Sequence, residues 1–336
     1  MELSLAQFKE ITLGAVRIEE SENGVDFFRF TKEQEELYKV RRDDFYLKSF
    51  TTAGICLRFV TNSESLSLKT VVSLGTGRSY FSFDLFINGE KVDSLTNFEE
   101  AALPLDYTAC EYPLGEYTKT FCLGSGEKEV CLHFPWSVRA TIKELSIDDG
   151  SFISAVKPAH KMLCFGDSIT HGYDAQYTSR KYITQLANAL DAEEHNKAIG
   201  GEIFFPELAA TKEDFVPDFI TVAYGTNDVS RCTDEEFIAN CNDFIDNLHE
   251  SYPTSKIFVL TPIWRMAFDD KNLYDMIERT IREATAKYNN IVVIKGLDFV
   301  PHNESSFGDF VLHPNNIGFD HYANHLFREV KVQLKN

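Results

Sequence analysis

The sequence predicts an α/β fold, a parallel sheet covered by helices, preceded by a β-sandwich or jelly-roll part. Three observations carry this. From Lys161 onward, short apolar runs alternate with stretches of helical spacing, as parallel strands joined by crossover helices do. Before about residue 148, period-two runs punctuated by turn residues point to antiparallel sheets. Between the two, Asp148-Asp149-Gly150-Ser151 marks a turn, and the stretch up to Lys161, with Pro158, reads as a linker. The domains are therefore expected at 1–150 and 151–336.

Composition narrows the function classes. A chain of 336 residues suffices for one large domain or two ordinary ones. With 33 basic and 52 acidic side chains, the net charge is −19. Such a surface repels nucleic-acid phosphate and anionic membrane, so neither is an expected partner and a neutral substrate fits better. The seven cysteines are scattered, with no Cys-x-x-Cys and several inside apolar runs. There they behave as small core residues, and a reducing compartment is expected. Met1-Glu2-Leu3-Ser4-Leu5-Ala6 lacks a basic stretch followed by a long apolar one, and no run approaches the roughly 18 apolar residues of a membrane span. The expected location is the cytoplasm.

In the first part, Leu66–Val72 and Tyr80–Ile87 alternate apolar and polar residues, and Asn88-Gly89 before Glu90-Lys91-Val92 signals a hairpin. Val130–Phe134 and Ala140–Ile147 continue the pattern. One helix is plausible, near Thr31 to Tyr38, with a loop turn over Thr31-Lys32-Glu33-Gln34-Glu35 as the equal alternative. In the second part, strands are expected at Met162–Phe165, His195–Ile199, Phe219–Tyr224, Ile257–Leu260 and Ile291–Ile294. Helices are expected at Ser179–Leu190, capped by Thr178 or Ser179, and from the capping box Thr233-Asp234-Glu235-Glu236 to about Ser251. Two more are expected at Lys271–Tyr288 and from Gly318 to about Leu334.

The chemistry gathers where these strands end. Gly166-Asp167-Ser168 follows the first strand, and Gly200-Gly201 follows the second. Gly225-Thr226-Asn227-Asp228 follows the third, and Asp309-Phe310-Val311-Leu312-His313-Pro314 lies after the last. A doubly wound sheet brings such ends to one edge. A hydroxyl beside helix-start amides, glycine amides, a carboxamide and an imidazole are the parts of an acyl-transfer site.

These four segments, in this order, resemble the four sequence blocks of the SGNH hydrolases, also called the GDSL esterase/lipase family. The resemblance covers about residues 161 to 334 and implies a flavodoxin-like parallel sheet. It implies Ser168 as nucleophile and His313 as general base. The Ser168 and Gly201 backbone N–H groups and the Asn227 amide would form the oxyanion hole. Gly201 is preferred to Gly200 because it lies five residues after Asn196. Asp309 departs from the family pattern, in which the acid lies three residues before the histidine; here that position is Phe310. Asp309 is expected as third member of the triad, with a Ser–His dyad oriented by a backbone carbonyl as the alternative. Asp167 is expected to be structural.

Other features receive plainer readings. His321 and His325 have metal-ligand spacing, but position 322 is tyrosine, so no metal is expected. His171 and His302 are expected as loop histidines. Tyr173 and Trp264 are candidates for substrate contact, with core packing the competing reading for Trp264.

With its N-terminal β part, the chain is similar to two-domain carbohydrate esterases. The implied reaction is cofactor-free removal of small acyl groups, acetyl being the expected one, from a sugar or oligosaccharide ester. A lipase, a thioesterase or an acyltransferase would use the same residues. A carbohydrate-binding protein with an inactive hydrolase half is the reading from another class. The N-terminal part is expected to pack against the site; sugar binding and homo-oligomer assembly are the other roles open to it.

Overall fold

In the computed structural model, which describes residues 1–266 and 270–335, the first half of the chain forms two antiparallel sheets. In chain order its elements are α1 (Leu5–Ile11), β1 (Thr12–Leu13), β2 (Arg17–Ser21), β3 (Gly24–Phe28), α2 (Lys32–Arg41) and α3 (Asp43–Ser49). Then come β4 (Cys56–Thr61), β5 (Ser65–Leu74), β6 (Ser82–Ile87), β7 (Glu90–Thr96), β8 (Gly115–Cys122), β9 (Lys128–His133), β10 (Val138–Ile147) and β11 (Ser154–Ala155). One sheet runs β1-β4-β9-β6-β7 with β11 on β4, and the other runs β2-β3-β10-β5-β8. Period two sorts the side chains: Leu66, Leu68 and Val72 of β5 are buried while Ser67, Lys69 and Val71 are not. They join Phe59, Phe83, Leu132 and Ile142 in a core drawn from both sheets. The Asn88-Gly89 hairpin forms with both residues at positive φ, 51° and 84°, the geometry that matches strand twist.

The first half is not all β. The helix near Thr31, not the loop turn, forms as α2 behind a capping box, in which the Thr31 and Gln34 side chains each accept the other's backbone N–H. Helices α1 and α3 are seven residues each, too short for helical spacing to stand out of the sequence.

The second half is the helix-covered parallel sheet. Its elements are β12 (His160–Gly166), α4 (Ser168–His171), α5 (Tyr182–Ala189), β13 (Ala192–Asn196), α6 (Pro206–Ala210) and β14 (Phe219–Ala223). They continue as α7 (Asp228–Arg231), α8 (Asp234–Ser251), β15 (Lys256–Leu260), α9 (Lys271–Thr285), β16 (Ile291–Ile294) and α10 (Asn316–Gln333). The sheet order β13-β12-β14-β15-β16 is the flavodoxin-type order, with its switch point between β12 and β14. Alternate residues of β12 serve opposite faces. Met162 and Cys164 pack with α5 and α10, and Leu163 and Phe165 with α8 and α9.

Several element ends differ from the sequence expectation, two of them where the first half of the chain intervenes. The first helix starts at Tyr182, not Ser179, and no side chain caps it. Thr178–Arg180 is a separate 3-10 turn, because the first sheet claims it: Ser179 N–H donates to Asp84 (2.9 Å) and Thr178 Oγ1 to the Phe134 carbonyl (2.7 Å). The second strand is Ala192–Asn196 rather than His195–Ile199. The next residues turn towards the first half. Arg29, 1% exposed, donates to the carbonyls of Asn196 (2.7 Å) and Ala198 (3.2 Å), while Lys197 Nζ donates to the Arg29 carbonyl (2.6 Å).

The two halves interlock elsewhere too. Ser154–Ala155, in the stretch that reads as a linker, pairs with Val60 and Phe59 of the first sheet. Tyr38 and Phe45 pack in one core of the α/β half, and Tyr80 and Trp136 in the other. No helix among the described residues is long and apolar enough to cross a membrane.

Candidate active site

Strand β12 ends at Gly166, and Asp167 starts the next turn as N-cap of α4, its carboxylate accepting the Ile169 N–H at 2.9 Å. Ser168 is therefore the first residue of a helix at the carboxyl end of a strand next to the switch point. Burial pushes the Asp167 carboxyl up to about 6. Its role is in the turn, as its position in sequence suggests.

His313 Nε2 lies 2.9 Å from Ser168 Oγ, and His313 Nδ1 lies 2.6 Å from Asp309 Oδ2. An ionised carboxylate only accepts, so Nδ1 carries the proton and Nε2 is free to accept from the serine. The other Asp309 oxygen accepts the backbone N–H groups of Val311, Leu312 and His313 at 2.8–3.0 Å. Burial opposes ionisation of Asp309, yet its bonds to His313 and these amides hold it well below the usual carboxylate range. The additional residue in this loop, Phe310, takes a left-handed conformation with φ of 64°. That bend lets a carboxylate four residues before the histidine reach the ring.

The two glycines after β13 are not equivalent. Gly200 N–H donates to His171 Nδ1 (3.2 Å), and a Cβ on Gly200 would lie 2.5 Å from the Tyr173 ring. Gly201 has φ of 88°, which favours glycine, and no hydrogen bond among the described residues occupies its N–H or that of Ser168. Asn227 donates one amide hydrogen to the Glu202 carbonyl (2.9 Å), leaving a second. Asp228 fastens the two loops together, accepting the N–H groups of Phe204 (3.0 Å) and Gly225 (2.9 Å). Burial raises its carboxyl to about 6.

The structure brings Ser168, His313 and Asp309 into one hydrogen-bonded line. It sets Gly201 and Asn227 on adjacent loops, linked through Glu202 and through Arg231, which donates to the Gly201 carbonyl. Tyr173 is 7% exposed, its ring centre 5.4 Å from that of His313 and 5.1 Å from that of Trp136. Trp264 is buried, its ring stacked on His302 at 4.9 Å. Packing uses most of both rings.

Several residues of this region carry no signal in the sequence. Asp174 Oδ2 is a second carboxylate oxygen near His313 Nδ1, at 3.6 Å. It is fully buried, is held by Arg78 Nε at 2.8 Å, and its carbonyl accepts from Tyr107. Arg78 and Tyr107 come from the β half, 96 and 67 residues away, a distance no local pattern spans. His171, expected in a loop, is the last residue of α4 and is fully buried. Burial holds its imidazole well below the usual range. Since Nδ1 accepts from Gly200, Nε2–H faces Thr51 Oγ1 (2.9 Å) and the Trp136 carbonyl (3.1 Å). Lys48 of α3 donates to the Gly200 carbonyl at 2.8 Å. The β half thus braces both ends of the site.

Residues 164–321 match the GDSL-like Lipase/Acylhydrolase family. No curated protein sequence matches the chain. Among solved structures, a GDSL-like lipase from Bacteroides ovatus, itself described as unproven, is 18% identical with a TM-score of 0.76, covering 97% of this chain and 96% of its own. The salicylyl-acyltransferase of a tetracycline biosynthetic pathway is 19% identical with a TM-score of 0.74, covering 96% and 94%. An acetyl xylan esterase from the rumen bacterium Butyrivibrio proteoclasticus is 15% identical with a TM-score of 0.66, covering 100% and 98%. At these identities the likeness is one of fold, and it extends over both halves of the chain.

Proposed function

We propose that the chain, whose residues 164–321 match the GDSL-like lipase/acylhydrolase family, is a carboxylic ester hydrolase that removes small acyl groups, acetyl above all, from carbohydrate esters. The observation that carries this reading is the line Ser168–His313–Asp309, with contacts of 2.9 and 2.6 Å. In the proposed reaction, Ser168 Oγ attacks the acyl carbonyl carbon while His313 Nε2 takes its proton. The oxyanion accepts from Ser168 N–H, Gly201 N–H and Asn227. The C–O bond to the sugar breaks, and the sugar oxygen leaves with the proton from His313. Water, deprotonated by His313, then attacks the acyl-enzyme and releases the acid and Ser168. Each step uses only groups of the chain and water.

Two observations favour a small acyl group on a neutral substrate. The net charge of −19 disfavours anionic substrates. The fold likeness to an acetyl xylan esterase points to a small acyl group. Residues 1–150 are read as the accessory β part, a jelly-roll-like sandwich, and residues 151–336 as the catalytic part. Seven free thiols fit a cytoplasmic location.

The test is hydrolysis of 4-nitrophenyl esters from acetate to decanoate. We expect the highest kcat/KM on acetate and a loss on the order of 10⁴ or more in kcat for Ser168→Ala. Unchanged hydrolysis in that variant would remove Ser168 from the mechanism. A maximum at long chains would indicate a lipase or thioesterase, and acyl transfer to an added acceptor alcohol in preference to water would indicate an acyltransferase.

A further inference from the structure

We infer that a second site lies on the outer face of the first sheet, where Cys56, Cys131 and His133 form a ligand set for Zn²⁺ or a similar thiophilic divalent cation. Cys131 and His133 are two residues apart on β9 and so share a face. Cys56 on β4 is the direct cross-strand partner of His133. The intervening Val130, Leu132 and Leu57 point the other way, into the core between the sheets. The pleat thus separates three donor side chains from the apolar ones.

Their donor atoms all lie within 4.8 Å of one another, with Cys131 Sγ 3.5 Å from His133 Nε2. A tetrahedral zinc, with Zn–S of about 2.3 Å and Zn–N of about 2.0 Å, holds such donors roughly 3.5–3.8 Å apart. The three therefore need to move little to enclose an ion. Cys56 and His133 are each 8% exposed, and both cysteines are free thiols. Two sulfurs and an imidazole select zinc-like cations over magnesium or calcium.

The surroundings supply space and charge. A cavity of about 310 Å³ borders all three residues and is closed on its far side by Pro158, Thr184, Asn188 and Glu193. It has room for the ion and for water as a fourth ligand. Because its walls come from both halves of the chain, an ion held there braces the first sheet against the α5–β13 corner. This site is separate from the Asp174–Asp309–His313 group, whose members are already engaged at the serine.

The experiment is a Co²⁺ titration of the reduced, metal-stripped full-length protein, read by thiolate-to-cobalt absorption, with circular dichroism as the check on folding. We expect one equivalent bound with a thiolate band, and a higher Tm when Zn²⁺ replaces Co²⁺. The band should vanish in Cys131→Ser, affinity should fall more than about tenfold in His133→Gln, and both should persist in His313→Ala. If Cys131→Ser does not fold, His133→Gln decides. The proposal is overturned by a wild type without the band, by a band kept in Cys131→Ser, or by binding lost in His313→Ala.

Discussion

Asp309 lies four residues before His313, and the left-handed Phe310 absorbs the additional residue. A carboxylate so placed fixes the Nδ1–H tautomer of the ring. Asp309→Asn is therefore expected to lower kcat by about 10⁴ with KM little changed, measured on 4-nitrophenyl acetate. A loss below tenfold would instead favour a Ser–His dyad. Ser168, Gly201, Asn227 and His313 were legible because each sits in polar or glycine-rich sequence beside an apolar strand or a Pro-Asn turn. Asp174 was not, since what makes it notable is Arg78, 96 residues away, and a ring nitrogen of His313. Between the two glycines, the five-residue spacing favoured Gly201, and the structure adds that the Gly200 N–H is taken by His171.

Among the elements, four of the five parallel strands, β12, β14, β15 and β16, and the capped helix α8 lie close to their sequence positions, because long buried runs and a capping box are local signals. The short helices and the ends of α5 and β13 do not, because tertiary contacts set them. The segment after β13 is the clearest case. It leaves the sheet to meet Arg29, which also donates to the carbonyls of Lys48 (3.0 Å) and Thr51 (2.8 Å). Burial lowers the Arg29 guanidinium to about 9, so it is still charged at neutral pH. Arg29→Met would leave these buried carbonyls unpaired. We expect a loss of about 3 kcal/mol in urea unfolding and a fall in kcat as the Gly200–Gly201 loop loosens. An unchanged urea midpoint would mean that the halves do not depend on this joint.

At the scale of the whole molecule, buried acids set how stability varies with pH. Glu202, next to Gly201, is pushed by burial from its ordinary 4.5 up to about 7. One of its oxygens has no partner among the described residues, and the other accepts from Arg41 at 2.9 Å. The folded chain then binds this proton more tightly than the unfolded one, so its stabilising effect is complete below about 4.5 and is lost as pH rises through about 7. Asp167 and Asp228, raised from 3.8 to about 6, act in the same direction. Glu193, lowered by its bond to His195 against the effect of burial to about 2, acts oppositely as pH falls below its ordinary range. Glu202→Gln is expected to flatten the pH dependence and to be more stable than wild type at pH 8, by up to about 3 kcal/mol. Parallel curves for the two proteins between pH 5 and pH 8 would exclude Glu202 as the group responsible.

The sequence by itself determined the class of each half, the order of the strand ends and the residue types that meet there. Period and turn chemistry are local, and the parallel sheet converts that order into one edge. Only the tertiary structure decided how the halves lock together, that His171 takes the Gly200 N–H, and that Arg78, Lys48 and Thr51 of the β half brace the site. It also brought Cys56 to Cys131 and His133, 75 and 77 residues on, through a cross-strand register that no spacing in the chain encodes. Those relations depend on distances between residues far apart in sequence, and only packing fixes such distances.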